Sequence, residues 1–116
     1  MIAAESLARE LRGPILVLGA SGFIGANLMR LLRGVRSDVV GTASREPAWR
    51  LAPYGADAVI TVDLLARGNL KTLLDRVQPA TVFDCVAYGA YSFEQDIERM
   101  YQTNVVFKQE LIEELL

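Results

Sequence analysis

The stretch "LVLGASGFIGANL" places glycines at 19, 22 and 25 between an apolar run and a helix-like pattern. That arrangement is chemically suggestive. A glycine at the end of a strand permits a sharp turn where a side chain would collide. A second lets the main chain approach a pyrophosphate, and a third lets the following helix lie tight against the sheet. The amides of Phe23 and Ile24 would then stand at a helix N-terminus, where unpaired N–H groups and the helix dipole favour an anion. Gly19, Ser21, Gly22, Phe23, Ile24 and Gly25 are therefore the first candidate site residues, and a dinucleotide is the expected ligand. No Gly-Lys-Ser/Thr follows, which excludes the nucleotide triphosphate loop of kinase type.

Composition removes several other chemistries. The 116 residues contain no histidine, the commonest general base and metal ligand. One cysteine, Cys85, permits neither an intrachain disulfide nor a multi-cysteine zinc site, and its apolar strand makes it a small core residue. A net charge of −2 gives no electrostatic case for broad binding to nucleic acid or an anionic membrane. With 52% hydrophobic and 22% charged residues, the chain reads as one folded domain. No apolar stretch approaches a membrane span. The opening "MIAAESLARELRG" holds acidic residues and no continuous apolar core, so no secretory signal is read there and a cytoplasmic location is expected.

The elements that must position the loop follow from periodicity. Residues 3–12 read as a short helix stopped by Gly13-Pro14, an N-terminal extension over 1–13 ahead of a main domain over 14–116. "PILVLG" is a compact apolar strand, and 23–33 repeat apolar residues with helical spacing. Further strands are predicted over 38–44, 57–63 and 81–87, a helix over 70–77, and a long amphipathic helix over 97–116. Pro47, Pro53 and Gly55 argue against a long helix after the second strand. Strands alternating with helices imply an α/β fold, a Rossmann-like parallel sheet of four strands with helices on both faces. Strands apolar throughout agree with a sheet covered on both sides.

With "GASGFIG" in this setting, the chain resembles the extended short-chain dehydrogenase/reductase family of nucleotide-sugar epimerases, dehydratases and related reductases. The resemblance covers nearly everything after Gly13. In "VDLL", Asp63 and Leu64 stand where that family brackets the adenine ring. In "VFDCVAYG", Val86, Ala87 and Tyr88 occupy the positions that wall the cofactor. "TNVVFKQELIEELL" matches the helix after it, with Asn104 expected near the cofactor.

Two departures qualify what the resemblance implies. The acidic residue that ends the second strand in NAD users is replaced by Ala43, followed by Ser44 and Arg45. A hydroxyl and a guanidinium there suit the 2′-phosphate of NADP, with NAD as the alternative. The family's Tyr-x-x-x-Lys pair is also missing: tyrosines stand at 54, 88, 91 and 101, and lysines only at 71 and 108. The chain stops where the fifth strand of the family would begin.

The expectation is an NADP-binding domain of a nucleotide-sugar epimerase, dehydratase or reductase, not catalytically competent alone. Its alternative is a non-catalytic NADP(H) sensor or regulatory module. The nucleotide sugar would bind only in the complete enzyme. The apolar last helix and the open edge of the fourth strand suggest a homo-oligomer.

Overall fold

The computed structural model describes residues 3–116. Of the expected N-terminal extension, Met1 and Ile2 lie outside the described residues; the rest is helix α1 (Ala4–Glu10). It packs against α2 (Phe23–Arg33), and its Ala8 joins the core. Four parallel strands follow: β1 (Ile15–Leu18), β2 (Val39–Ala43), β3 (Val59–Thr61) and β4 (Thr81–Asp84). They lie in the order β3-β2-β1-β4, with Ile15 opposite Val39 on one side and Thr81 on the other. A 3-10 turn (Trp49–Leu51) takes the place of a helix after β2, as the prolines suggested, and α3 (Asn69–Val77) precedes β4.

The sheet is covered on both faces. Along β1, side chains alternate between faces: Ile15 and Val17 meet Ala8, Met29, Leu32 and Leu51, while Leu16 and Leu18 meet Leu70, Leu73, Phe107 and Leu111. All four β1 side chains are fully buried. Each large apolar side chain so placed stabilises the fold by about 1.5–3 kcal/mol relative to exposure. On α2 the buried line is Gly25, Met29 and Leu32; Phe23 and Ile24 point outward.

Two strands end earlier than their apolar runs, for the same reason. After β3, Asp63 Oδ1 accepts the Leu65 N–H at 3.0 Å; after β4, Asp84 Oδ1 accepts the Val86 N–H at 3.0 Å. Each aspartate mimics a backbone turn and leads the chain off the sheet. The last helix also departs from simple periodicity. It runs through α4 (Ile97–Tyr101), a π-helical turn (Gln102–Val106) and α5 (Phe107–Leu115). Asp96 caps it by accepting the Arg99 N–H.

Successive strands run from β1 outward to β3, whereas β4 lies on the opposite side of β1. The chain direction therefore reverses beside β1, and a crevice opens beyond the carboxyl ends of β1 and β4, the usual ligand position in such sheets.

Candidate functional site

The crevice is built from the glycine loop upward. Gly19 turns with φ +73°, a left-handed conformation that side chains rarely adopt. A Cβ there would lie 2.9 Å from the Cys85 backbone, so the loop passes close against the chain leaving β4. Gly25 has the second steric reason: a Cβ would stand 2.2 Å from the Gly19 carbonyl oxygen. Gly22 differs, since a Cβ there would come no nearer than 3.6 Å to the Gly19 carbonyl oxygen. A side chain there would make an ordinary van der Waals contact, so no clash within the fold requires glycine.

Thr42, in the middle of an apolar strand, fixes the loop from below. Its Oγ1 accepts the Gly19 N–H at 3.0 Å and its carbonyl accepts the Ala20 N–H at 2.8 Å. It is almost fully buried, and from sequence it reads as one more strand residue.

An open cleft of about 240 Å³ lies over this loop. Gly19, Ser21, Gly22, Ser44, Asp63, Leu64, Val86, Ala87 and Tyr88 line it, so nine of the expected residues converge. The other five do not line it. Phe23 and Ile24 form the first turn of α2 with exposed side chains, leaving their amides as the relevant groups. Gly25 sits beneath the loop, Arg45 is exposed beyond β2, and Asn104 stands behind the cleft wall.

Asn104 has a defined role there. Its Oδ1 accepts the Tyr88 N–H at 3.1 Å, and its Nδ2 donates to the Tyr88 carbonyl at 2.6 Å. The Arg99 guanidinium lies 5.0 Å from the Tyr88 ring centroid, and the Tyr88 hydroxyl accepts the Asp96 N–H. The wall residue is thus held at its backbone, its ring and its hydroxyl.

Further groups shape the same end of the cleft. Thr103 lines it within the π-helical turn, and its buried Oγ1 has no hydrogen-bond partner among the described residues. A buried hydroxyl without a partner is costly, and π-turns occur at ligand sites. Glu94 and Arg99 line the cleft beside it. Lys108 Nζ lies 2.7 Å from Asp84 Oδ2 and also donates to the Val86 carbonyl, tying α5 to the end of β4. Cys85 lines the cleft as well; burial, and then the Asp84 charge, push its thiol above the ordinary range despite Lys108. No cluster of His, Cys, Asp and Glu that could hold a metal occurs among the described residues.

The cleft is therefore lined by Gly22, the N-cap of α2, by the hydroxyl-bearing Ser21 and Ser44, and by Tyr88 beyond the end of β4. Such a shape suits an elongated ligand with a central pyrophosphate.

The NAD dependent epimerase/dehydratase family matches this sequence over residues 15–116. No curated protein matches the chain. Among solved structures, L-threonine dehydrogenase from Clostridium difficile superposes with a TM-score of 0.72 at 16% identity, over 86% of this chain and 32% of that one. GalE-like L-threonine dehydrogenase from Cupriavidus necator, in its holo form, gives 0.68 at 22% identity, over 85% and 32%. These likenesses bear out the α/β Rossmann-like fold, and the chain spans about a third of the length of each structure.

Proposed function

The chain belongs to the NAD dependent epimerase/dehydratase family, and on that basis we propose that it is the NADP-binding domain of an epimerase, dehydratase or reductase acting on a nucleotide sugar. The family implies a nicotinamide dinucleotide. The observation that carries the reading is the cleft at the strand-order reversal, floored by the N-terminus of α2. Phe23 and Ile24 amides would hold the pyrophosphate. Asp63 and Leu64 would flank the adenine, Ser44 and Arg45 the 2′-phosphate, and Val86, Ala87 and Tyr88 the nicotinamide side.

Bound there, the nicotinamide supplies hydride transfer. This chain's own residues bind it and shield it: Asn104 and Arg99 hold the Tyr88 wall, and Lys108 fastens the end of β4. None of its tyrosines has a lysine four positions later. Proton handling in this reading belongs to groups outside these residues, over a domain taken as 14–116, and the chain alone does not turn over. That same lack supports a second reading, a non-catalytic NADP(H) sensor. Half-exposed or more exposed Ile97, Tyr101, Val105 and Ile112 support a homo-oligomer through the last helix. No helix among the described residues is long and apolar enough to cross a membrane, and a cytoplasmic site of action is proposed.

The test is calorimetric titration with NADPH and, separately, NADH. Saturable binding that Gly22→Val abolishes, with the fold retained by circular dichroism, supports the reading. Absence of binding to both dinucleotides overturns it.

A further inference from the structure

We propose that Glu94 and Arg99 form a subsite for the hydroxyl groups of the sugar, beside the wall assigned to the nicotinamide. The proposal rests on the nucleotide-sugar reading above and gives it substrate contacts within this chain. Both residues line the cleft, together with Tyr88 and Thr103. Glu94 lies in the loop after β4 and Arg99 in α4, so neither belongs to the glycine loop or to the ends of β2 and β3, where the adenine half is expected. Asp96 fixes the start of α4 by accepting the Arg99 N–H at 3.1 Å, and the Arg99 guanidinium carbon lies 5.0 Å from the Tyr88 ring centroid. Glu94 is held as well, its Oε1 accepting the Tyr91 N–H at 3.1 Å.

Both groups keep unused capacity. Ion pairs among the described residues join Arg33 to Asp57, Arg36 to Asp38, Lys71 to Asp75 and Lys108 to Asp84. Among those residues Glu94 and Arg99 pair neither with each other nor with another charge. Glu94 Oε2 and the Arg99 guanidinium N–H groups make no hydrogen bond among the described residues. Thr103 Oγ1, buried in the same cleft, has no partner among them either. Polar groups left open together mark an end of the cleft that a ligand completes. Their types select its chemistry. Glu94 disfavours an anion and Arg99 a cation, so the group that suits both is neutral, donating to one and accepting from the other. A hydroxyl does both. Adjacent hydroxyls on a sugar ring can donate to the carboxylate and accept from the guanidinium, in charge-assisted bonds. A ring held there lies against the nicotinamide side, where a sugar carbon must stand to exchange hydride.

The alternative role for the two residues is to read the nicotinamide ribose diol, and the roles separate by ligand. The 116-residue chain is titrated with NADPH and then, saturated with it, with UDP-glucose or with UDP as the sugar-free control. Saturation-transfer NMR reads which ligand protons approach the protein. Wild type, Glu94→Gln, Glu94→Asp and Arg99→Lys are compared, each checked for folding by circular dichroism. Saturation should reach the glucose ring protons. Glu94→Gln should weaken UDP-glucose about ten-fold, the scale of a lost charge-assisted hydrogen bond, and NADPH and UDP far less. Glu94→Asp keeps the charge and should lose less than Glu94→Gln. Arg99→Lys keeps a cation without the planar fork, and should cost UDP-glucose more than NADPH. Glucose protons without saturation on the NADPH-loaded chain, or a loss for UDP or NADPH equal to that for UDP-glucose, would overturn the subsite while leaving the dinucleotide reading intact. Displacement of UDP-glucose by glycine would overturn it in favour of a zwitterion. Absence of NADPH binding to wild type overturns both readings.

Discussion

Asn104 grips the backbone of Tyr88 from both sides, accepting its N–H at 3.1 Å and donating to its carbonyl at 2.6 Å. The pair joins the π-helical turn to the loop that walls the cleft. Asparagine has low helix propensity, and here its side chain serves another segment rather than its own helix.

Substituting Asn104→Ala removes both bonds. Each is worth about 0.5–1.5 kcal/mol net, so urea unfolding should show a loss of about 1–3 kcal/mol. Asn104→Asp keeps the acceptor and sets a carboxylate against the Tyr88 carbonyl, so it should be no better than alanine. Both should weaken dinucleotide binding. Wild-type affinity in both variants would dissociate the clamp from the site.

The glycines separate folding from binding. Gly25→Ala forces a Cβ to 2.2 Å from a backbone oxygen that cannot swing away. Overpacking of that kind costs about 1–3 kcal/mol or more, and a lowered thermal midpoint should show it. Gly22→Ala meets nothing closer than 3.6 Å, so it should fold almost normally and still bind NADPH more weakly. Equal destabilisation by the two substitutions would contradict these different roles.

Thr103→Val replaces the hydroxyl with a methyl group at nearly constant shape. Because Oγ1 has no partner among the described residues, stability of the free chain should be unchanged or slightly raised. Dinucleotide affinity should fall by about three- to ten-fold if the hydroxyl contacts the ligand, the worth of one net hydrogen bond. Paired denaturation and titration curves would show the two effects moving in opposite directions.

Cys85 should alkylate more slowly than a free cysteine at pH 8, since burial and the Asp84 charge disfavour its thiolate. Because it also lines the cleft, NADPH should slow the reaction further. Mass spectrometry after timed iodoacetamide exposure would measure both. Free-thiol reactivity without ligand protection would place the sulfur outside the site.

Arg36 donates from Nε and Nη2 to the two Asp38 oxygens at 2.7 and 2.8 Å, while its Nη1 donates to the Ala8 and Leu11 carbonyls. The hydrogen bond from Arg36 lowers the Asp38 carboxyl below its usual value. Its stabilising contribution is therefore complete above the ordinary aspartate range and lost as pH falls through the lowered value. Asp38→Asn should lower the urea midpoint at pH 7 and narrow its difference from wild type below about pH 4, the ordinary aspartate range. A difference that stays constant with pH would exclude ionic coupling.

Local information in the chain was enough for the scaffold. Four apolar runs, the alternation of strand and helix, and glycines at 19, 22 and 25 depend on sterics and periodicity within a few residues, and the structure follows them. Where β3 and β4 stop was less legible, because an aspartate that turns the chain, as Asp63 and Asp84 do, looks in sequence like one that extends a strand. Most of the site's supporting contacts were not legible at all. Thr42 under Gly19, Arg50 on Ser21, Asn104 on Tyr88 and Lys108 on Val86 join residues 23, 29, 16 and 22 positions apart. Those distances close only when the parallel sheet brings the carboxyl ends of its strands together. The sequence determined that a phosphate-ready loop would form; tertiary packing decided which side chains hold it, because their partners become neighbours only in the folded chain.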